Sequence, residues 1–113
     1  MSKKVEKIAL YSEAAKTLNL NLSDELIINV TTHLGPSIYK KDAEIVSCSD
    51  STELDTVKKN FLQKKLGLTQ DDAILDAAIK KTCEAMGSSN SRKYRVLFYA
   101  LLAKEFGKES VYS

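Results

Sequence analysis

The side chains best suited to proton transfer, nucleophilic attack or metal ligation are few in this chain: one histidine, His33, and two cysteines, Cys48 and Cys83. Histidine exchanges a proton near neutral pH, and a thiolate is both a nucleophile and a soft metal ligand. Their spacing does not assemble either chemistry. The cysteines form no CxxC pair, and one histidine with scattered carboxylates supplies no zinc or iron–sulfur ligand set. His33 stands two residues before Gly35, where the last turn of a helix lets it meet the terminal carbonyls, and no nucleophile with an orienting acid accompanies it. Cys83 falls on the inner stripe of a helix and reads as a small core hydrophobe. Cys48, in "SCSDS", precedes a helix start whose amides could lower a thiol's pKa, so a reactive thiol there is the minor alternative. The expectation is two ordinary free thiols.

The carboxylates give no sharper signal. Asp71 and Asp72 are adjacent, a spacing that does not define a two-carboxylate hydrolase, and the phosphate-loop, dinucleotide, H-E-x-x-H and calcium-loop patterns are missing. No cofactor and no metal are expected, and a non-enzymatic protein is the first reading. An enzyme whose site assembles only in the fold is the last alternative.

Basic residues raise a different possibility. "LQKKLGLTQDDAILDA" has the brevity of a helix-turn-helix joint, but its second helix would present Asp71 and Asp72 to DNA, which argues for ordinary capping instead. The lysine pairs 40/41, 58/59, 64/65 and 80/81, with Arg92, Lys93 and Arg95, could converge on a nucleic-acid surface, or simply solvate amphipathic helices. The charge is uneven: residues 1–56 carry six basic and nine acidic side chains, and residues 57–113 carry eleven and six.

All of these groups must be held by short helices. Val5, Ile8, Tyr11, Ala15 and Leu18 recur at helical spacing over about 3–18. Ser23 predicts a capped helix over 24–34, with Leu26, Val30 and Leu34 inward. Gly35 then stops it and Pro36 opens the next turn. A partly irregular helix carries Ile38, Ala43, Ile45 and Val46. Asp50 with Glu53 marks a capping box for a helix bearing Leu54, Val57, Phe61 and Leu62, and Leu66 precedes a stop at Gly67. Thr69 with Asp72 repeats that spacing before Ile74, Leu75, Ala78, Ile79, Cys83 and Met86. The pairs Asp76–Lys80 and Lys80–Glu84 decorate its outer face. A last helix over 92–106 has the strongest apolar face, Tyr94, Leu97, Phe98, Leu101, Leu102 and Phe106, and reads as the central packing element. "KESVYS" follows as a tail. The expected fold is all-α: a compact single domain, residues 1–113, of five or six short helices with capped joints and a short C-terminal tail over 108–113.

Composition agrees with that reading. At 113 residues, 43% hydrophobic and 28% charged, the chain fits one core. No apolar run approaches the roughly eighteen residues of a membrane span, and the first segment lacks the pattern of a signal peptide. A cytoplasmic protein, off the membrane, is expected.

Two stretches are more specific than any helical pattern: "LGPSIYKKDAEIVSCSDSTELDTVKKNFLQKKLGL" and "RKYRVLFYALLAKEFGKES". They resemble the small bacterial DUF2853 family of uncharacterised proteins, through "GPSIY" at residues 35–39, "KKNFL" at 58–62 and "FGKES" at 106–110. The resemblance implies a mainly helical bacterial protein and brings no reaction, substrate, cofactor or partner with it. The expected function is therefore a protein-binding or structural module, its partner another protein or a second copy of itself. A basic-surface nucleic-acid-binding protein is the alternative. A binding surface of Tyr39, Lys40, Lys41, Lys108, Glu109 and Tyr112 would follow if "GPSIYKKD" and "FGKESVY" meet. The competing reading completes the core with their apolar members.

Overall fold

The structure, a computed structural model, describes residues 3–87, 89–90 and 92–112, the side chains of Lys41 and Asp42 excepted. Its helices are α1 (Lys3–Thr17), α2 (Asp24–Leu34), the single turn α3 (Lys41–Glu44), α4 (Ser51–Thr56), α5 (Asp72–Ala85) and α6 (Arg95–Glu105). A 3-10 turn over Gly35–Tyr39 joins α2 to α3, α4 runs on as a π-helical segment over Val57–Lys65, and a second 3-10 turn covers Glu109–Tyr112. The fold is all-α. Among the described residues the only β-type pairing is an isolated antiparallel bridge between Ile45 and Tyr94.

α6 is the centre, as its sequence predicts. Val96, Leu97, Phe98, Ala100, Leu102 and Ala103 are all buried, so apolar residues surround the helix rather than lining one stripe, the pattern of a helix covered on every side. α2 and α5 pack on it, and α1 lies against α2. α6 begins at Arg95 rather than residue 92, because Lys93 and Tyr94 are extended: the Lys93 carbonyl accepts the Val46 amide at 2.9 Å.

Local chemistry explains most boundaries. Ser23 Oγ accepts the Leu26 amide at 3.1 Å and starts α2. Gly35 ends it at φ +63° and ψ −143°, a conformation that a side chain strains to adopt. Asp50 accepts the Thr52 and Glu53 amides and starts α4, but Glu53 does not reach back to complete the box. The predicted Thr69 cap is also absent: α5 starts at Asp72, after Asp71. Its buried stripe is Leu75, Ala78, Ile79, Thr82 and Met86, and Ile74, expected inside, is 51% exposed in the first turn.

The segment after α4 departs from α-helical spacing. Val57, Phe61, Leu62 and Leu66 are all buried, a repeat of four to five residues that the i→i+5 bonding of a π-helix brings to one side. The Leu66 amide donates to Phe61 O at 2.9 Å. α1 departs from its expected stripe as well, since only Tyr11 and Ala15 are buried in it and Val5 is exposed.

Candidate functional site

The six residues proposed for a surface are divided by the fold. Tyr39, 46% exposed, and Lys40 stand outside at the 3-10 corner after α2. Lys41's side chain lies outside the described residues. Glu109 lines a cleft of about 340 Å³ with Lys104, Ser110 and residues from Asn21 to Asn29. Lys108 is half-buried, with its amide on Ala103 O at 2.7 Å. Tyr112 is 4% exposed and so follows the reading in which the apolar members of these segments complete the core. The reason is aromatic packing: His33 meets its ring edge-on at 5.1 Å, Phe61 lies 6.4 Å away, and the Lys65 ammonium sits 5.6 Å over it. Burial first, then the neighbouring Tyr99, pushes the Tyr112 phenol well above its ordinary value. The tail is thus docked on α2 through Tyr112, and His33 is the exposed residue it docks against.

Two polar hubs fix the corner around α3. Glu44 Oε2 accepts Tyr11 Oη at 2.5 Å and Lys7 Nζ at 2.7 Å, which ties α1 to the turn α3. Burial, then this hydrogen bond, drives the Tyr11 phenol far above its usual range, with Tyr94 and Tyr39 adding to the effect. Arg95 at the start of α6 donates Nε to Ala43 O at 2.5 Å and Nη1 to Tyr99 Oη at 3.0 Å, and its Nη2 pairs with Glu53. Burial opposes that charge, but Tyr99 and Glu53 outweigh it and hold the guanidinium above its ordinary value. Glu53 therefore serves α6 rather than its own helix start.

Between these hubs lies the largest correction to the sequence reading. Cys48 and Cys83 are not free thiols; they form a disulfide across 35 residues, with Cα atoms 6.1 Å apart, inside the usual span for such a bridge. The Val46–Lys93 bond and the Ile45–Tyr94 bridge draw the chain between α3 and α4 alongside the body. α5 brings Cys83 to meet it on the shoulder of its buried stripe. Both cysteines are half-buried at the edge of the core. A cleft of about 570 Å³ opens on one side, lined by Ser47, Ser49, Lys80, Glu84 and Lys93 among others, and one of about 450 Å³ on another, lined by Leu54, Asp55, Lys58, Asp76 and Lys80. Both clefts include the two cysteines; His33 is in neither.

The lysines are distributed rather than pooled. Lys58 approaches Asp76 at 3.2 Å and both Asp55 and Asp72 at 3.9 Å, and the Asp76 carboxylate holds its ammonium above the ordinary lysine value against the opposing cost of burial. Lys59 pairs with Asp55 at 3.0 Å, and Lys81 with Glu105 at 2.6 Å. Asp76 thus reaches across to Lys58 instead of pairing along α5 with Lys80. Lys93 is buried, with Nζ on Asn90 O at 2.5 Å. The Asp72 carboxylate, expected only to cap, faces Lys58 and Gln63 at the joint between the π-helical segment and α5.

A further concavity, about 350 Å³, lies between α1 and the strand-like approach to α6. Leu10, Ala14, Leu18 and Tyr94 form its apolar floor, with Glu13, Thr17 and Arg92 at the rim. Leu10 is 42% exposed there. Sequence periodicity places Leu18 of this feature on α1's inward face with Val5, Ile8, Tyr11 and Ala15, but Leu10 lies off that stripe and carries no signal.

Fold and surface define a small all-α domain with apolar and disulfide-lined clefts. Among its described residues no group of three or more metal-binding side chains occurs, and no helix is long and apolar enough to cross a membrane. The family model described as a protein of unknown function, DUF2853, matches residues 10–110, and the chain belongs to that family. The search of the curated proteins gives no match.

Proposed function

We propose that this protein is a cytoplasmic helical module that works by binding another protein, and that the groove beside α1 receives the partner. The observation that carries the reading is Leu10: an apolar side chain 42% exposed at a groove floored by Ala14, Leu18 and Tyr94. An apolar centre inside a polar rim is the usual anatomy of a protein interface. Arg92 and Glu13, both at the rim, favour a partner segment whose apolar side chains are flanked by charges of both signs.

A polyanion-binding role has less support, since Lys58, Lys59 and Lys81 face carboxylates and Lys93 is buried. Catalysis has less still, since His33 stands beside Tyr112 rather than beside a nucleophile.

The test is a photoreactive residue placed at position 10 and, as control, at the somewhat more exposed position 74, followed by reconstitution with the purified adduct partner. The expected result is an adduct at position 10 alone, and a loss of affinity of about tenfold or more in Leu10→Glu, equivalent to about 1.4 kcal/mol, with thermal stability kept. Adducts at both positions or at neither, or an affinity indifferent to Leu10→Glu, would reject the reading.

A further inference from the structure

We propose that the Cys48–Cys83 bridge is a thiol–disulfide exchange site, opened by a dithiol reductant while the rest of the fold stays intact. Three observations carry it. The bridge is half-buried and borders clefts of about 570 and 450 Å³, each of a size that accommodates a small molecule or a peptide turn. Access therefore does not require the core to open.

The second observation is that the chain carrying Cys48 is anchored independently of the bridge. Val46's amide is held by Lys93 O, Asp50's amide by Ser47 O at 3.2 Å, and Arg95 grips Ala43 before the loop and Glu53 after it. Opening the bridge leaves those ties in place. The two thiols stay near one another and can re-form the bond, which makes the step reversible.

The third is Lys80, exposed one turn before Cys83 on α5, which borders both clefts together with the two sulfurs. A neighbouring ammonium favours a thiolate, and a more acidic thiol leaves faster. The other charges around the bridge are less available or of opposing sign: Lys58 is held between Asp55 and Asp76, which also line the smaller cleft, Lys93 is engaged by Asn90 O, and Glu84 is an exposed carboxylate. The helix start after Cys48 supplies little, because the Asp50 carboxylate already accepts the Thr52 and Glu53 amides.

One thiolate of the dithiol attacks Cys48 Sγ, the sulfur on the loop. The bond between Cys48 and Cys83 breaks, and its electron pair leaves on Cys83 Sγ beside Lys80. The second thiol of the reductant loses its proton and attacks the mixed disulfide, releasing Cys48 as thiolate. Two electrons pass to the protein, both protein sulfurs take up protons from water, and the reductant ends as its own disulfide. This rests on the cytoplasmic reading in one respect: where glutathione and thioredoxin keep thiols reduced, a disulfide is transient and serves catalysis or redox sensing.

The test uses the oxidised full-length chain with dithiothreitol as probe, alkylation of freed thiols and mass spectrometry, alongside the global unfolding rate in the same buffer. The expected opening rate rises linearly with dithiothreitol and exceeds global unfolding. Lys80→Gln slows it several-fold, because losing the ammonium makes the leaving thiol less acidic and a less acidic thiol leaves more slowly, while Lys80→Arg restores it and neither alters unfolding. A rate that saturates at the unfolding rate, or that ignores Lys80→Gln, overturns the proposal. Cell fractionation tests the compartment separately: rapid, Lys80-dependent opening in a chain found outside the cytoplasm would reject the localisation and leave the exchange site standing.

Discussion

Reducing the Cys48–Cys83 bridge should lower the melting temperature by about 10–15 °C. The bridge joins residues 35 apart in sequence, and closing a loop of that length in the unfolded chain corresponds to roughly 4 kcal/mol of lost conformational entropy. Unfolding entropies of about 2.1 cal/mol/K per residue give roughly 240 cal/mol/K for a chain of 113 residues. Dividing one by the other gives about 17 °C as the full effect, of which a bridge commonly delivers somewhat less. The folded state should change little on reduction, because Val46 and Arg95 keep the flanking chain in place, so the loss is assigned to the unfolded ensemble. Calorimetry on three samples measures it: oxidised protein, reduced protein with both thiols verified free, and a Cys48→Ala/Cys83→Ala variant. Urea denaturation should show a steeper denaturant dependence after reduction, since an uncrosslinked unfolded chain exposes more surface. A drop below about 3 °C, with no change in that slope, would refute the loop-closure reasoning.

Three other perturbations separate the roles of the polar and aromatic contacts. Arg95→Ala removes the bonds to Ala43 O, Tyr99 and Glu53 and should cost about 2–3 kcal/mol in urea denaturation; Arg95→Lys, lacking the planar fork, should recover only part. Tyr112→Ala should cost about 3 kcal/mol because the ring is buried against Phe61 and His33, whereas exposed Tyr39→Ala should stay within about 0.5 kcal/mol. Equal losses at the two positions would contradict the placement of the tail. Tyr11 and Tyr112 have phenol pKa values raised in the fold, chiefly by burial, so the folded state holds those protons while the unfolded chain releases them near pH 10. Their contribution is complete below about pH 10 and is lost as pH rises above it toward the folded values. Thermal melts should therefore decline on the alkaline side, with two tyrosines ionising only as the chain unfolds. A stability independent of alkaline pH would exclude this linkage.

What was legible in the sequence was local, and what was hidden was mostly tertiary. Ser23, Gly35 and Pro36 announce the limits of α2 because a cap oxygen, a left-handed backbone and a missing amide each act within a few residues. The dense apolar run of α6 announces its own burial. The Thr69 cap failed because the capping spacing occurs without the geometry, and the chain starts α5 only at Asp72. Periodicity placed Val5 and Ile74 inside since it reports which residues share a helix face, not how far the neighbouring element extends to cover it. Cys83 illustrates the limit most directly. Its position on α5 was readable, but its partner lies 35 residues earlier, on a segment brought alongside by a backbone bond to Lys93 and held at both ends by Arg95. Nothing in "SCSDS" or in the spacing of two cysteines encodes that route. The same holds for Glu53, which its spacing assigns to a capping box and the fold gives to Arg95. In a chain this small, side chains that look like local punctuation are recruited to long-range ties. The corner those ties build, where the loop before α4 meets α5 and α6, is where the disulfide stands between its two clefts.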